Sequence, residues 1–352
     1  MSLERISAAD ALGKLNSFST VIDARSEGEY AEDHLPGAVN WPSLHDDERK
    51  IVGTSYKQIS QFEAKKLGAA LVAKNIAEHI QRDVLDKPRE WQPLVYCWRG
   101  GKRSGSLALV LDQIGFRVTL IDGGYKAFRA ALVADLPQLA AQHSYRVVCG
   151  PTGSGKTRLL QALAAQGAQV LDLEALANHR SSVLGLIPGM PQPSQKAYDS
   201  RIWIALRSFD PARPVYIESE SKKVGNVAVP EGLITAMRAS PCLHLDLAED
   251  ERVALLLEDY DFFVQDIEFF CSRLAALTEA RGNVTVQDWQ ARARSGDVAS
   301  VVLELLLRHY DPTYLQSMQR NFTQYETARV LAPRDRNMTA MTELAQSLLA
   351  EV

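Results

Sequence analysis

Cysteine is scarce in this chain: four in 352 residues, at positions 97, 149, 242 and 271, with no C-x-x-C pair among them. Four widely spaced cysteines do not make a disulfide framework, and their spacing excludes the common structural zinc sites. Long apolar runs are missing too. No stretch approaches the roughly 18 uncharged apolar residues of a bilayer-crossing helix, and the window 301–307 is broken by Glu304. The opening MSLERISAADALGKL carries charge within its first five residues and lacks the apolar core of a secretion signal, so a reducing cytoplasm is the expected compartment. Excess charge of one sign is also absent. The net charge of −4 gives no global field for nucleic acid, which leaves any RNA contact to a local basic patch.

What is present is the ordinary composition of a soluble globular protein, in a length that suits two domains, each with its own core. In the first half, short β-like runs at 19–23 (STVID), 93–96 (PLVY) and 117–121 (RVTLI) alternate with helical patterns at 61–80 and 104–114, and the charged stretch 28–33 is compatible with helix. Such alternation implies a mainly parallel sheet covered on both faces. The proline-containing stretch 135–144 (DLPQLAAQHS) has little pattern and is read as a boundary. Strand patterns resume at 145–149, 169–173, 214–218 and 242–247, and from Glu249 the chain reads as almost purely helical through Tyr310. The expected organisation is an α/β domain over 1–136, a linker at 137–144, a second α/β domain over 145–250 and a mainly helical part over 251–352 packed with it.

Two loops carry chemistry. In the first, Cys97 follows a strand and is succeeded by Trp98, Arg99, Gly100, Gly101, Lys102 and Arg103 before a helix opens at Ser104. A cysteine at the C-terminal edge of a parallel sheet sits where ligands of open α/β folds lie. The two glycines let backbone N–H groups converge, and the helix N-terminus and three cations favour an anion, so the thiol is expected to be ionised and accessible as a nucleophile. A persulfide or perselenide on it would be cradled by the same donors. Cys149, Cys242 and Cys271 lie in apolar runs and read as inert packing residues. Trp98 is a candidate for stacking on a flipped base or lining an apolar groove, with a plain core tryptophan the equal alternative.

In the second, Gly150, Thr152, Gly153, Ser154, Gly155, Lys156 and Thr157 fit G-x-x-x-x-G-K-[ST] in full, between a strand and a helical run at 158–165. Backbone N–H groups would wrap a di- or triphosphate, Lys156 would meet its terminal oxygens, and the Thr157 hydroxyl would ligate Mg²⁺. Asp172 and Glu174 end one strand pattern, and Glu218 and Glu220 end another; each is a candidate to hold Mg²⁺ or orient water, and each reads equally well as a solvated carboxylate. Lys222 and Lys223 are candidate phosphate or RNA contacts, although paired lysines more often make a solvated surface.

Residues 21–30 (VIDARSEGEY), 34–40 (HLPGAVN) and 120–128 (LIDGGYKAF), with the Cys97 loop between, resemble the rhodaneses over nearly all of 1–136. That resemblance implies a rhodanese-like parallel-sheet domain in which Asp23 and Arg25 serve the scaffold. Five residues separate Cys97 from Arg103 where simple rhodaneses have four. The longer loop resembles that of rhodanese-related phosphatases, although Tyr96 stands where such enzymes usually carry histidine. A rhodanese-like domain followed by a P-loop NTPase-like domain, together with 97–104, 150–157, 172–185 and 218–225, resembles the bacterial tRNA 2-selenouridine synthases along essentially the whole chain.

The resemblance implies a transferase that converts wobble 2-thiouridine of tRNA to 2-selenouridine. It would work through an S-geranylated intermediate made from geranyl diphosphate, followed by selenation from selenophosphate. Cys97 would then be catalytic, the 150–157 loop would hold a diphosphate leaving group, and Arg180, within the family-like stretch, would join the acidic candidates around it. Implied partners are the anticodon region of tRNA and an enzyme supplying selenophosphate, with no membrane, no redox cofactor and Mg²⁺ as an option. Arginines 273, 281, 292, 294 and 308 of the helical part are candidates for the tRNA backbone. Open alternatives are an ATP-dependent kinase or NTPase with a regulatory rhodanese-like domain, a rhodanese-related sulfurtransferase or phosphatase, and a non-enzymatic binding module.

Overall fold

The computed structural model describes residues 3–180, 187 and 189–351; the family-like residues 181–185 lie outside the described residues. Backbone contacts divide the chain into two units, Met1–Leu136 with Ser194–Ile204, and Pro137–Pro193 with Ala205–Val352. Both are α/β with parallel sheets, as the alternation of patterns predicts.

The first unit holds β1 (Glu4–Ile6), β2 (Thr20–Asp23), β3 (Ala38–Asn40), β4 (Pro93–Tyr96) and β5 (Thr119–Ile121). They lie in the order β1-β5-β4-β2-β3, with every pairing parallel. Central β4 is buried at all four positions, which is why it reads as an unbroken apolar run rather than an alternation. Its core joins Ile22, Val95 and Leu120 of the sheet to Ile76, Leu107 and Leu111 of the helices Gln61–Asp83 and Lys102–Ile114.

The second unit holds β6 (Tyr145–Cys149), β7 (Gln169–Leu171), β8 (Val215–Glu218), β11 (Cys242–Leu245) and β12 (Arg329–Leu331), plus a small antiparallel pair, β9 (Lys223–Val224) and β10 (Val227–Ala228). The five-stranded sheet is parallel in the order β12-β11-β6-β8-β7. Chain order reverses about β6, between β8 and β11. The loop leaving β6 therefore emerges in the crevice where open α/β sheets bind ligands.

Two expectations need correction. The segment 137–144 is not an irregular linker: a helix runs Gly124–Ala141 with Pro137 inside it. Leu132, Leu136, Leu139 and Ala140 are all buried at helical spacing, and this packing outweighs the one backbone hydrogen bond that proline forfeits. Within the mainly helical part 251–352, β12 adds an edge strand to the second sheet. Helix Met338–Leu349 also packs Met341, Ala345 and Leu348 against Leu159, Leu160 and Leu163 of helix Lys156–Ala165. Finally, the strand pattern at 169–173 stops at Leu171, because Asp172 caps helix Leu173–Ala177 by accepting from the Ala175 N–H at 2.8 Å.

Candidate active site

In the first unit, β4 delivers Cys97 to the sheet edge, and the loop turns into helix Lys102–Ile114 with Gly101 as its N-cap. The turn depends on close backbone approach. Gly124 has φ +60°, and a Cβ there would lie 2.2 Å from the Cys97 carbonyl oxygen, so no side chain fits. The same carbonyl accepts from the Tyr125 N–H at 2.8 Å, and the Trp98 carbonyl from the Lys126 N–H at 3.0 Å, which fixes the loop on the Gly123–Gly124 turn.

The thiol is not open to solvent, contrary to expectation. Cys97 is 3 % exposed and packs with Ile22, Ala24, Val95 and Leu107, and its Sγ accepts a hydrogen bond from the Ser104 hydroxyl at 3.1 Å. Of the three cations, Arg103 is committed to Glu29, at 2.6 Å. Burial works to raise the Glu29 carboxyl, but hydrogen bonding and charge from Arg103, with Arg49 behind it, hold it below the usual range. Arg99 and Lys102 are exposed. Trp98 is half-buried, stacked on Tyr125 at 5.4 Å between centroids, with the Lys196 ammonium 5.7 Å from its ring. Asp23 and Arg25 do form scaffold. Their ion pair is buried at 2.6 Å, Tyr96 donates to Asp23, and the Arg25 guanidinium lies 3.9 Å over the Tyr125 ring.

In the second unit, the loop 150–157 runs from β6 into helix Lys156–Ala165, which opens at Gly155. The Lys156 ammonium donates to the Gly150 carbonyl at 2.7 Å and to that of Pro151 at 3.2 Å, so it is held over its own loop. Thr157 stands in the helix's first turn. Ser154 is buried, and its Oγ has no hydrogen-bond partner among the described residues. Gly153 has φ +78°, and a Cβ there would meet the Arg252 carbonyl at 3.0 Å and Leu256 at 3.1 Å.

Buried Arg252 holds the loop from behind. It donates twice to the Thr152 carbonyl, at 2.8 and 3.1 Å, and pairs in two-pronged fashion with Asp311 at 2.6 and 3.0 Å. Tyr314 accepts from the Gly150 N–H at 2.6 Å and shares a 3.1 Å hydrogen bond with Ser219. Arg252, Asp311 and Tyr314 lie outside every motif. Only the folding of distant helices onto the loop gives them a role, and no local pattern signals it.

Glu218 ends β8 fully buried and accepts from the Glu174 N–H at 2.8 Å. Burial, then repulsion from Glu174, Asp172 and Glu220, pushes its carboxyl well above the usual range. Burial also raises Asp172. Glu220 is buried and Lys222 exposed, while Arg180 lies 4.6 Å over the Tyr260 ring and donates to the Asp259 carbonyl. Among the described residues no group of three or more His, Cys, Asp or Glu is placed to hold a metal ion. A magnesium ion here would have to take most of its oxygens from phosphate and water.

Family models match both halves: "Rhodanese-like domain" over residues 7–131 and "tRNA 2-selenouridine synthase AAA domain" over 143–279. A tRNA 2-selenouridine synthase of Nitrosomonas europaea is 37% identical over 244 residues, which make up 68% of this chain and 63% of that relative, just under two thirds of its length. One from Nitrosomonas eutropha is 32% identical over 348 residues, covering 85% of this chain and 88% of the relative. The chain belongs to the tRNA 2-selenouridine synthase family. Among solved structures it is similar to a rhodanese-related protein from Thermoplasma volcanium, at 18% identity and a TM-score of 0.24 over 36% of this chain and 89% of that one. Four of the five arginines singled out in the helical part have partners within the chain. Arg292 pairs with Asp288 and Glu304, Arg294 with Glu268, and Arg308 with Glu304, while Arg281 donates to His309. Among the described residues, no helix is long and apolar enough to cross a membrane.

Proposed function

We propose that the protein converts 2-thiouridine at the wobble position of tRNA to 2-selenouridine in two transfers, one served by each loop. The observation that carries this reading is a complete diphosphate loop, with Lys156 and Thr157 at the start of a helix, in the same chain as a cysteine turn of rhodanese type. In the first transfer the thiouridine sulfur attacks C1 of geranyl diphosphate. The C1–O bond breaks, and the diphosphate departs with its growing charge met by Lys156 and the N–H groups of the loop. In the second, the Cys97 sulfur takes the phosphoryl group of selenophosphate as the P–Se bond breaks, the freed selenide adds at C2 of the base, geranylthiolate leaves, and water then releases phosphate from Cys97. The exposed Arg99 and Lys102 beside Cys97 suit the selenium donor's phosphate.

Family membership supports a tRNA substrate; the prenyl and selenium donors rest on the chemistry of the two loops and on the likeness to the family. Mass spectrometry of tRNA incubated with both donors tests the division of labour. Cys97→Ser should accumulate geranylated tRNA without selenium, and Lys156→Ala should stop geranylation. Selenation by Cys97→Ser at the wild-type rate, or ATP turnover that requires Lys156 but no prenyl donor, would reject the scheme.

A further inference from the structure

Among the described residues, the Ser104 hydroxyl is the single side-chain donor at the Cys97 sulfur, 3.1 Å away. Ser104 stands in the first turn of helix Lys102–Ile114 and is fully buried. The side chains packed with Cys97 are otherwise apolar: Ile22, Ala24, Val95 and Leu107. A negative charge on the sulfur has no other side-chain donor to meet it.

The hydroxyl has a second acceptor in reach, the Gly101 carbonyl at 3.3 Å. It has one proton to donate, so the two acceptors compete for it. A serine that bonds back to the carbonyl opening its own helix is an ordinary local device. Here that carbonyl is already satisfied by the Gly105 N–H at 3.0 Å, so the serine proton is not needed there. The turn is also fixed without Ser104, because Ser43 donates to the Arg103 carbonyl at 3.0 Å. Sulfur is a weak acceptor while it carries a proton or a phosphoryl group, and a strong one as a thiolate. The hydrogen bond from Ser104 therefore strengthens as charge develops on the sulfur. A bond that tightens in this way speeds the step that creates the charge.

We propose that Ser104 is a catalytic residue of the first unit, whose hydroxyl stabilises the Cys97 thiolate as it departs from phosphorus. The inference rests on the function proposed above and adds a residue to its second transfer. In that step water attacks the phosphorus of phospho-Cys97. The P–S bond breaks, and its electron pair stays on sulfur as the thiolate. Both protons of the water remain with the released dihydrogen phosphate, and Ser104 keeps its own proton throughout.

The test compares the full chain with Ser104→Ala, a substitution that suits a helix; thermal melting checks its folding. Each protein is mixed with selenophosphate in the absence of tRNA and quenched over time, and peptide mass spectrometry reads the phosphoryl group on Cys97. Ultraviolet absorbance of the thiolate against pH, with Cys97→Ser subtracted, reads the sulfur directly. Ser104→Ala should lengthen the life of phospho-Cys97 at least about tenfold and move the thiolate midpoint upward by about one pH unit. A lifetime that is unchanged or shorter would overturn the inference and leave the two-transfer reading standing. A longer lifetime with an unmoved midpoint would overturn it as well, since the shape of the loop rather than the hydrogen bond would then be at work. If wild-type Cys97 never carries phosphate while the chain still selenates tRNA, phosphoryl transfer to Cys97 falls first and takes this inference with it.

Discussion

At the scale of single residues, burial separates the groups that the sequence presents as equals. Cys97 and Glu218 both end strands at a ligand-binding edge, and both are enclosed. Cys97 keeps one hydroxyl donor, that of Ser104, at its sulfur. Glu218 keeps one backbone donor against three neighbouring carboxylates, and its proton is held far above the usual carboxyl value of 4.5. That asymmetry predicts a pH dependence. Below about 4.5 the folded and unfolded chains both carry the Glu218 proton, and its contribution to stability is fully present. As pH rises, the unfolded chain releases the proton while the folded one retains it, so stability drains away until the folded group itself ionises. The slope from this one group is at most about 1.4 kcal/mol per pH unit. Glu218→Gln keeps an acceptor for the Glu174 N–H and has no proton to lose. Melting temperatures followed from pH 5 to 8 should therefore fall less steeply for the variant. Two parallel curves would show that the carboxyl is already ionised in the folded protein.

At the scale of elements, the phosphate loop is held by helices that come late in the chain. The Arg252–Asp311 pair joins helix Glu249–Asp259 to helix Asp311–Asn321, with the Thr152 carbonyl caught between them. Arg252→Met would remove both hydrogen bonds to Thr152 and strand the Asp311 carboxylate in a half-buried place. A cost of about 2 kcal/mol follows from lost charged hydrogen bonds, together with roughly tenfold weaker diphosphate binding as the loop relaxes. Thermal melting and calorimetry on the same preparation check the two effects. Unchanged diphosphate affinity in a destabilised variant would make Arg252 a matter of folding only.

The same elements show where a sequence is legible. β4 and β8 are buried at every position and read as unbroken apolar runs, and the two glycine loops are dictated by backbone geometry, so both are visible locally. Edge strands β1, β3 and β12 are three residues long and partly exposed, so they carry no period to read. Pro137 reads as a break because its local cost is visible and the packing that overrides it is not. Helix Gln195–Ser208 begins in the first unit, where Lys196 reaches Trp98 and Glu32; that placement is set by contacts far apart in sequence.

At the scale of the whole molecule, a chain of net charge −4 has to bind a polyanion if it modifies tRNA. Its affinity must then come from a few unneutralised cations, and salt dependence counts them: each phosphate contact adds roughly 0.7–0.9 to the slope of log K against log salt. The arginines of the helical part are largely spent on carboxylates, with Arg292 and Arg308 sharing Glu304 and Arg294 paired to Glu268. Arg99 and Lys102 are exposed at the turn that carries Cys97. The expected slope is accordingly shallow, and it should drop by about one when Lys102→Ala removes a phosphate contact. Arg292→Ala and Arg294→Ala should leave it where it was, because breaking an existing ion pair removes no contact to RNA. Titrations of labelled tRNA at several salt concentrations decide the matter. If the helical arginines change the slope and Lys102 does not, the RNA path lies on the helical part, and the exposed cations beside the thiol serve the selenium donor alone.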